Sequence, residues 1–325
     1  MFAMIEIKIE EKEANQRIDK YIKKYLSNAP LSFIYKLFRK KDIKVNNHWV
    51  NNNYIICEDD VIRIYISEEQ LKEFSINKEI KKDDLRYPII YEDENILIIN
   101  KPRGILVHGG DKEKRITLTN EVLNYLYFKG EYDPSINKGF TPAPAHRLDR
   151  NTSGIVVYGK TLPALQCLQE LFKNKDQIEK IYIALVVGNM NKVINVDAPL
   201  LKDSSSGLVK VASIEEGAKS AHSIFKPIKR YGDYTLVEVK ILTGRTHQIR
   251  VHAAYSNYPV IGDGKYGNFA VNKVVESKYH FTKQFLHAKK LAFKKISGVL
   301  HYLSSKEFLA PLSKEEEELL EKLEH

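Results

Sequence analysis

Beyond residue 86 the chain lays down apolar runs of strand length at 89–91, 96–99, 155–158, 181–187 and 234–242, with no helical stretch placed regularly between them. A doubly wound parallel sheet needs a helix at each crossover, so that architecture is excluded. The pattern predicts an α+β domain over residues 87–325, with much antiparallel pairing. One helix is expected where Ala164, Leu165, Leu168, Leu171 and Phe172 form an apolar stripe. The Glu-rich stretch 314–323 reads as a capping helix at the far end.

Residues 13–67 read as a separate small unit, two helices followed by a short sheet. Ile18, Tyr21, Ile22, Tyr25 and Leu26 fall on one helical face. A second helix is expected to start at Ser32, a good N-cap residue, and to bury Ile34, Leu37 and Phe38. Asn46, Asn47 and Asn51 to Asn53 supply turn chemistry between extended runs. Residues 68–86, charged and weakly periodic, read as a linker.

The chain has 325 residues and a formal net charge of +9. Much of that excess lies in the small unit, where nine basic residues from Arg17 to Lys44 face only Asp19 and Asp42. Lys36, Arg39 and Lys40 are three to four apart and share a helix face. Such a face suits a phosphate backbone, although a solvated face with nothing bound has the same composition. Cys57 and Cys167 are the only cysteines and are far apart, which argues against a disulfide scaffold or a cysteine zinc site and fits a reducing cytosol. Glu6, Glu10 and Glu11 interrupt the first apolar stretch, so no secretory leader is expected. No apolar run approaches the length of a membrane span.

Three constellations carry the chemistry. His146-Arg147-Leu148-Asp149-Arg150-Asn151-Thr152-Ser153-Gly154 forms a loop entering the run 155–158. A carboxylate between two arginines is ionised at neutral pH and can serve as nucleophile or base, or simply cap a turn. In Lys180-Ile181-Tyr182-Ile183-Ala184, strand alternation turns Tyr182 away from Ile181 and Ile183, where it can stack on a base or pack against another layer. In Leu242-Thr243-Gly244-Arg245-Thr246-His247-Gln248-Ile249-Arg250-Val251-His252, a strand ends, Gly244 allows a turn and a helix follows with Ile249 and Ala253 buried. Arg245 at that turn can reach a buried carboxylate. His247 and His252 are five apart, the wrong spacing for a paired metal site on a helix. Gly262-Asp263-Gly264-Lys265-Tyr266-Gly267 lacks the context of a phosphate loop and reads as structural.

Taken in order, these runs resemble the signatures of the RluA-type pseudouridine synthases. Asn100-Lys101-Pro102-Arg103-Gly104 and Leu106-Val107-His108 look like that family's opening strand and loop, and the front unit is similar to a ribosomal-protein-type RNA-binding module. His108-Gly109-Gly110 and the run 197–202 lean toward the subgroup that acts on large-subunit ribosomal RNA. The resemblance implies a long mixed, mostly antiparallel sheet. It also implies isomerisation of uridine to pseudouridine on a base swung out of the stack, with no metal or cofactor. Asp149 matches the catalytic aspartate, acting at the base or at the ribose carbon. Arg245 matches the residue paired with it, and Tyr182 the residue packed on the uracil. Arg147 matches a residue that fills the vacated stack, His146 belongs with the RNA-contacting set, and Leu242 would pack near the base. The partner implied is RNA, in the cytoplasm, with a monomeric enzyme and no membrane. A non-catalytic ribosome-assembly factor, or the same chemistry on tRNA, are the alternatives.

Overall fold

The structure is a computed structural model and describes residues 2–26, 29–74, 85–109, 116–134, 139–173, 177–203 and 206–324. The front unit has its own apolar core, built from Ile18, Tyr21 and Ile22 of the helix Ile18–Tyr25, Ile34 and Leu37 of the helix Leu31–Arg39, and Ile62, Ile64 and Ile66 of the strand Val61–Ser67. Alternate residues of that strand are buried, as a sheet with one solvated face requires.

Two expected boundaries shift. The strand Phe2–Lys8 pairs along the whole length of Val61–Ser67, so the unit starts ahead of residue 13. The helix Glu68–Phe74 packs back on this core through Leu71 and Phe74, so the linker does not start at residue 68. Residues 75–84 of that linker lie outside the described residues, as does Gly110. The second helix begins at Leu31, with Pro30 as its N-cap, rather than at Ser32. Proline fixes φ near the value required there, and Ser32 falls one residue inside the helix.

The larger domain is organised on one long sheet. Its strands lie in the order Ile194–Asp197, His222–Tyr231, Tyr234–Ile241, Ile178–Val187, Leu286–Phe293, Ser153–Gly159, Ile96–Lys101 and Ile89–Glu92. Ala143–Pro144 and Glu307–Leu309 pair alongside. Neighbours run antiparallel except at one seam, where Ser153 and Gly154 pair in parallel with His287 and Ala288. Gly154 has φ +106°, and a Cβ there would stand 2.3 Å from the Ala288 carbonyl oxygen. Only glycine fits so close an approach. The expected α+β class with a mixed, mostly antiparallel sheet is what the chain adopts.

The expected helices form as Leu162–Lys173 and Lys314–Glu324. No helix among the described residues is long and apolar enough to cross a membrane.

Candidate active site

The parallel seam lies where three of the sequence signatures meet. The loop carrying Asp149 runs straight into Ser153–Gly159, and the Thr152 N–H donates to the Asp149 carbonyl at 3.1 Å. Lys101, with no exposed surface, ties the same loop down by donating to the carbonyls of Pro102, Ile105 and Arg150 at 2.9, 3.0 and 3.1 Å. Burial brings the Lys101 ammonium down to about 7, against the pull of Asp149.

Tyr182 reaches the seam from the strand Ile178–Val187. Its pairing with Leu286–Phe293 shifts register between Ile181 and Tyr182. A bulge of this kind re-aims a side chain. Burial first, and then the charge of Asp149, push the Tyr182 phenol well above its ordinary value, so it stays protonated.

The third contribution comes from the turn ahead of the helix Gln248–Tyr255. Buried Gln248 fixes that turn: its Oε1 accepts from the Thr243 hydroxyl at 2.7 Å and the Arg245 N–H at 3.0 Å. Its amide nitrogen donates to the His222 carbonyl and the Ser223 hydroxyl at 3.0 and 2.9 Å. This bracing holds His247 in the left-handed region at φ 54° and turns the next arginine of the helix inward.

That arginine is Arg250, and it corrects the expected pairing. Arg250 Nη1 donates to Asp149 Oδ2 at 3.0 Å, while its Nε and Nη2 grip Asp263 at 2.6 and 2.8 Å. Arg245 instead lies exposed, and its Nε donates to the Ser220 carbonyl at 3.0 Å. Arg245 sits in the turn before the helix, whereas Arg250 sits on the inward face of its first turn. Asp263 is fully buried and also accepts from the Lys265 and Tyr266 N–H groups. Burial alone would raise the Asp263 carboxyl; the hydrogen bonds and charge of Arg250 outweigh it and hold the group below its ordinary range.

His247 completes the inner layer. The Tyr266 hydroxyl accepts from the Val209 N–H at 2.9 Å and lies 2.8 Å from His247 Nδ1. The other ring nitrogen, Nε2, lies 3.8 Å from Asp149 Oδ2. Burial lowers the His247 pKa, which favours the neutral imidazole.

Asp149, Tyr182, Arg245 and Arg147 line one cleft, together with His247, Arg250, Leu148, Ile241, Ile249 and Leu286. Arg147 stands exposed at its mouth. Two expected members are elsewhere. His146 Nε2 accepts from the Val157 N–H at 3.2 Å, and its ring stacks on Phe172 at 4.3 Å. Burial pushes its pKa down to about 3, so it is a neutral packing group. Leu242 lies one residue past the strand Tyr234–Ile241, and the apolar wall comes from Ile241 instead. A one-residue step along extended chain reverses the face. Lys36, Arg39 and Lys40 are exposed on or just after the helix Leu31–Arg39.

Arg250, Asp263, His247 and Tyr266 are the members that sequence reasoning missed. A signal was present: an arginine near the start of a helix, and an aspartate in a glycine-bounded turn that a structural reading left without a partner.

The cleft therefore offers a carboxylate held by a guanidinium that is itself held by a buried carboxylate, beside a protonated phenol. Comparison with known proteins bears on what such a site does. The RNA pseudouridylate synthase family profile matches residues 95–255. The chain is 36% identical to the ribosomal large subunit pseudouridine synthase C of Vibrio vulnificus, over 88% of this chain and 87% of that protein. It is 34% identical to the protein of the same name in Escherichia coli, over 86% of each. Among solved structures, human RNA pseudouridylate synthase domain containing 4 aligns with a TM-score of 0.58 at 24% identity, covering 72% of this chain and 92% of that one.

Proposed function

The chain belongs to the RNA pseudouridylate synthase family, and on that premise we propose that it isomerises uridines of large-subunit ribosomal RNA, with Asp149 as the reacting carboxylate. The observation that carries the assignment is the Asp149–Arg250–Asp263 chain of contacts beside Tyr182. The reaction breaks the N1–C1′ bond, turns the uracil and joins C5 to C1′, moving one proton from C5 and placing one on N1. It is balanced without a redox partner.

Each group has a physical task in this reading. Asp149 supplies negative charge at the reacting centre. Arg250 orients that charge while leaving part of the carboxylate open to the cleft. Asp263 keeps Arg250 from swinging away, and a pre-oriented charge in a partly dry site needs little reorganisation during reaction. Tyr182 offers a flat surface to the swung-out base. Arg147, at the mouth, occupies the space that base leaves. Extrusion costs a few kcal/mol for a stacked base and less in a loop.

Binding elsewhere must offset that cost. The exposed Lys36, Arg39 and Lys40 of the front unit, which we read as an RNA-binding module, are suited to phosphates. A groove lined by Lys202, Lys219 and Arg245 adjoins the cleft and offers a second basic surface. Arg245 is thus an RNA contact in this reading rather than the partner of Asp149. The names of the relatives support a ribosomal substrate, and such a substrate fits an enzyme of the cytoplasm.

Incubation with uridine-5-tritiated ribosomal RNA tests the reading. Tritium release by the parent and none by Asp149→Asn, with RNA affinity preserved, is the expected result. Full release by the variant, or none by the parent on ribosomal RNA, overturns it.

A further inference from the structure

Four residues beyond Asp149, the start of the strand Ser153–Gly159 is held by a buried cluster that the chemistry above leaves unused. Ser153 Oγ lies 2.9 Å from His287 Nδ1 and 3.0 Å from Glu316 Oε1. His287 Nε2 lies 3.1 Å from the carbonyl oxygen of Ala310. Glu316 Oε2 accepts from the Ser313 N–H and hydroxyl at 2.8 and 2.9 Å, capping the C-terminal helix Lys314–Glu324. Ser153 is 2% exposed, and His287 and Glu316 are not exposed at all. Water is excluded, so the contacts among these groups must be filled by protons they carry themselves.

The Ala310 carbonyl only accepts, so His287 Nε2 carries a hydrogen. Ser153 Oγ is the hub of the cluster, with Nδ1, Oε1 and, at 3.4 Å, the Leu286 carbonyl around it. Burial holds the imidazole below its ordinary range while Glu316 pulls it the other way. The charged groups facing the cluster are Arg103, whose Nη1 is 4.0 Å from Glu316 Oε1, Lys289 on the His287 strand, and Glu315, which takes Arg103 Nη2 at 2.6 Å.

We propose that Glu316, through its contact with Ser153, is a positioning residue for Asp149, which makes the C-terminal helix a working part of the active site. The inference rests on the reading of Asp149 as the reacting carboxylate. The path is short: Ser153 adjoins Thr152, whose hydroxyl accepts from Gln284 at 2.7 Å and whose N–H closes the turn on Asp149. A loss of clamping displaces the reacting group, and displacement by about 1 Å can cost about 10²-fold in rate.

The test compares the full-length parent, Glu316→Ala, Glu316→Gln and Asp149→Asn for tritium release across pH, each at a temperature where circular dichroism shows it folded. Glu316→Ala is expected to lower kcat by about tenfold or more, with KM for RNA within about twofold of the parent. Glutamine can donate its amide N–H to Ser153 and still accept from Ser313. Glu316→Gln is therefore expected to recover most of kcat. If Glu316→Ala does not fold, Ser153→Ala, which leaves the helix cap intact, carries the same kcat expectation. Parental kcat in the alanine variant, a loss confined to KM, or a failure of Glu316→Gln to recover kcat overturns the proposal. Full activity in Asp149→Asn fails the underlying reading instead.

Discussion

The Asp149 cleft and the basic face of the helix Leu31–Arg39 both concentrate charge, yet they use it in opposite ways. In the cleft, Arg250 spans two carboxylates with contacts of 2.6 to 3.0 Å and is itself 7% exposed. On the helix, Lys36, Arg39 and Lys40 stand exposed in solvent. Charges of the first kind are barely screened and act through fixed geometry; those of the second are screened within a Debye length and act through counterion release. The contrast teaches that one kind serves the chemical step and the other serves capture, so substitutions in the two places must fail in different kinetic parameters.

The largest separation comes from Asp149→Ala. It is expected to lower tritium release by on the order of 10³-fold or more, while RNA affinity by filter binding stays within about twofold. A variant that loses affinity instead would merge the two regions and break the comparison. Arg250→Ala comes next. It strands Asp263 as a buried, unpaired charge, at a cost of about 3–5 kcal/mol in unfolding free energy by urea titration. It also lowers kcat at saturating RNA. Arg245→Ala, five residues away, is expected to leave kcat near the parent value and raise KM. Equal kcat losses in both variants would show that the contact seen for Arg250 does not decide the chemistry. Stability should fall with acid by the same logic. The Asp263 carboxyl is held below its ordinary range, so its contribution is present above the unfolded carboxylate pKa and is lost as pH falls through the folded one.

This assignment also marks where sequence reasoning stopped. Five strands of the long sheet, the helix Leu162–Lys173 and the placement of Tyr182 were legible because apolar patterning and burial agree there, whereas Ile194–Asp197, His222–Tyr231 and Leu286–Phe293 were not read. The motif loop announced Asp149. What could not be read was which arginine of Thr243 to Arg250 turns inward. Arg245 and Arg250 are chemically alike, and the choice depends on Gln248 bracing the turn and on Asp263 arriving from another loop. The same limit misplaced Leu242, where one residue of extended chain separates the cleft wall at Ile241 from the opposite face. The strand Phe2–Lys8 was missed because its partner lies more than fifty residues away in sequence.

On the basic face, replacing Lys36, Arg39 and Lys40 together by glutamine is expected to weaken RNA binding most at low salt. The slope of log K against log salt should become shallower by roughly 2 to 3, at about 0.7–0.9 per lost phosphate contact. Tritium release at saturating RNA should stay at the parent level. An unchanged slope with weaker binding would mean that the face does not meet phosphates.

The smallest expected effect asks whether that region reads anything besides charge. Trp49 is 54% exposed on the strand His48–Trp49, and Lys41 Nζ lies 4.7 Å over its ring. An exposed indole beside a basic helix can stack on an unpaired base, a contact worth about 1–3 kcal/mol by alanine substitution. Trp49→Ala should therefore weaken RNA binding by roughly tenfold while leaving the salt slope untouched, since no phosphate contact is removed. A change in slope would instead mean that the ring serves to hold Lys41 in place. Either way kcat should not move, because this ring belongs to capture and the rate of the chemical step is set in the cleft, whose lining does not include it.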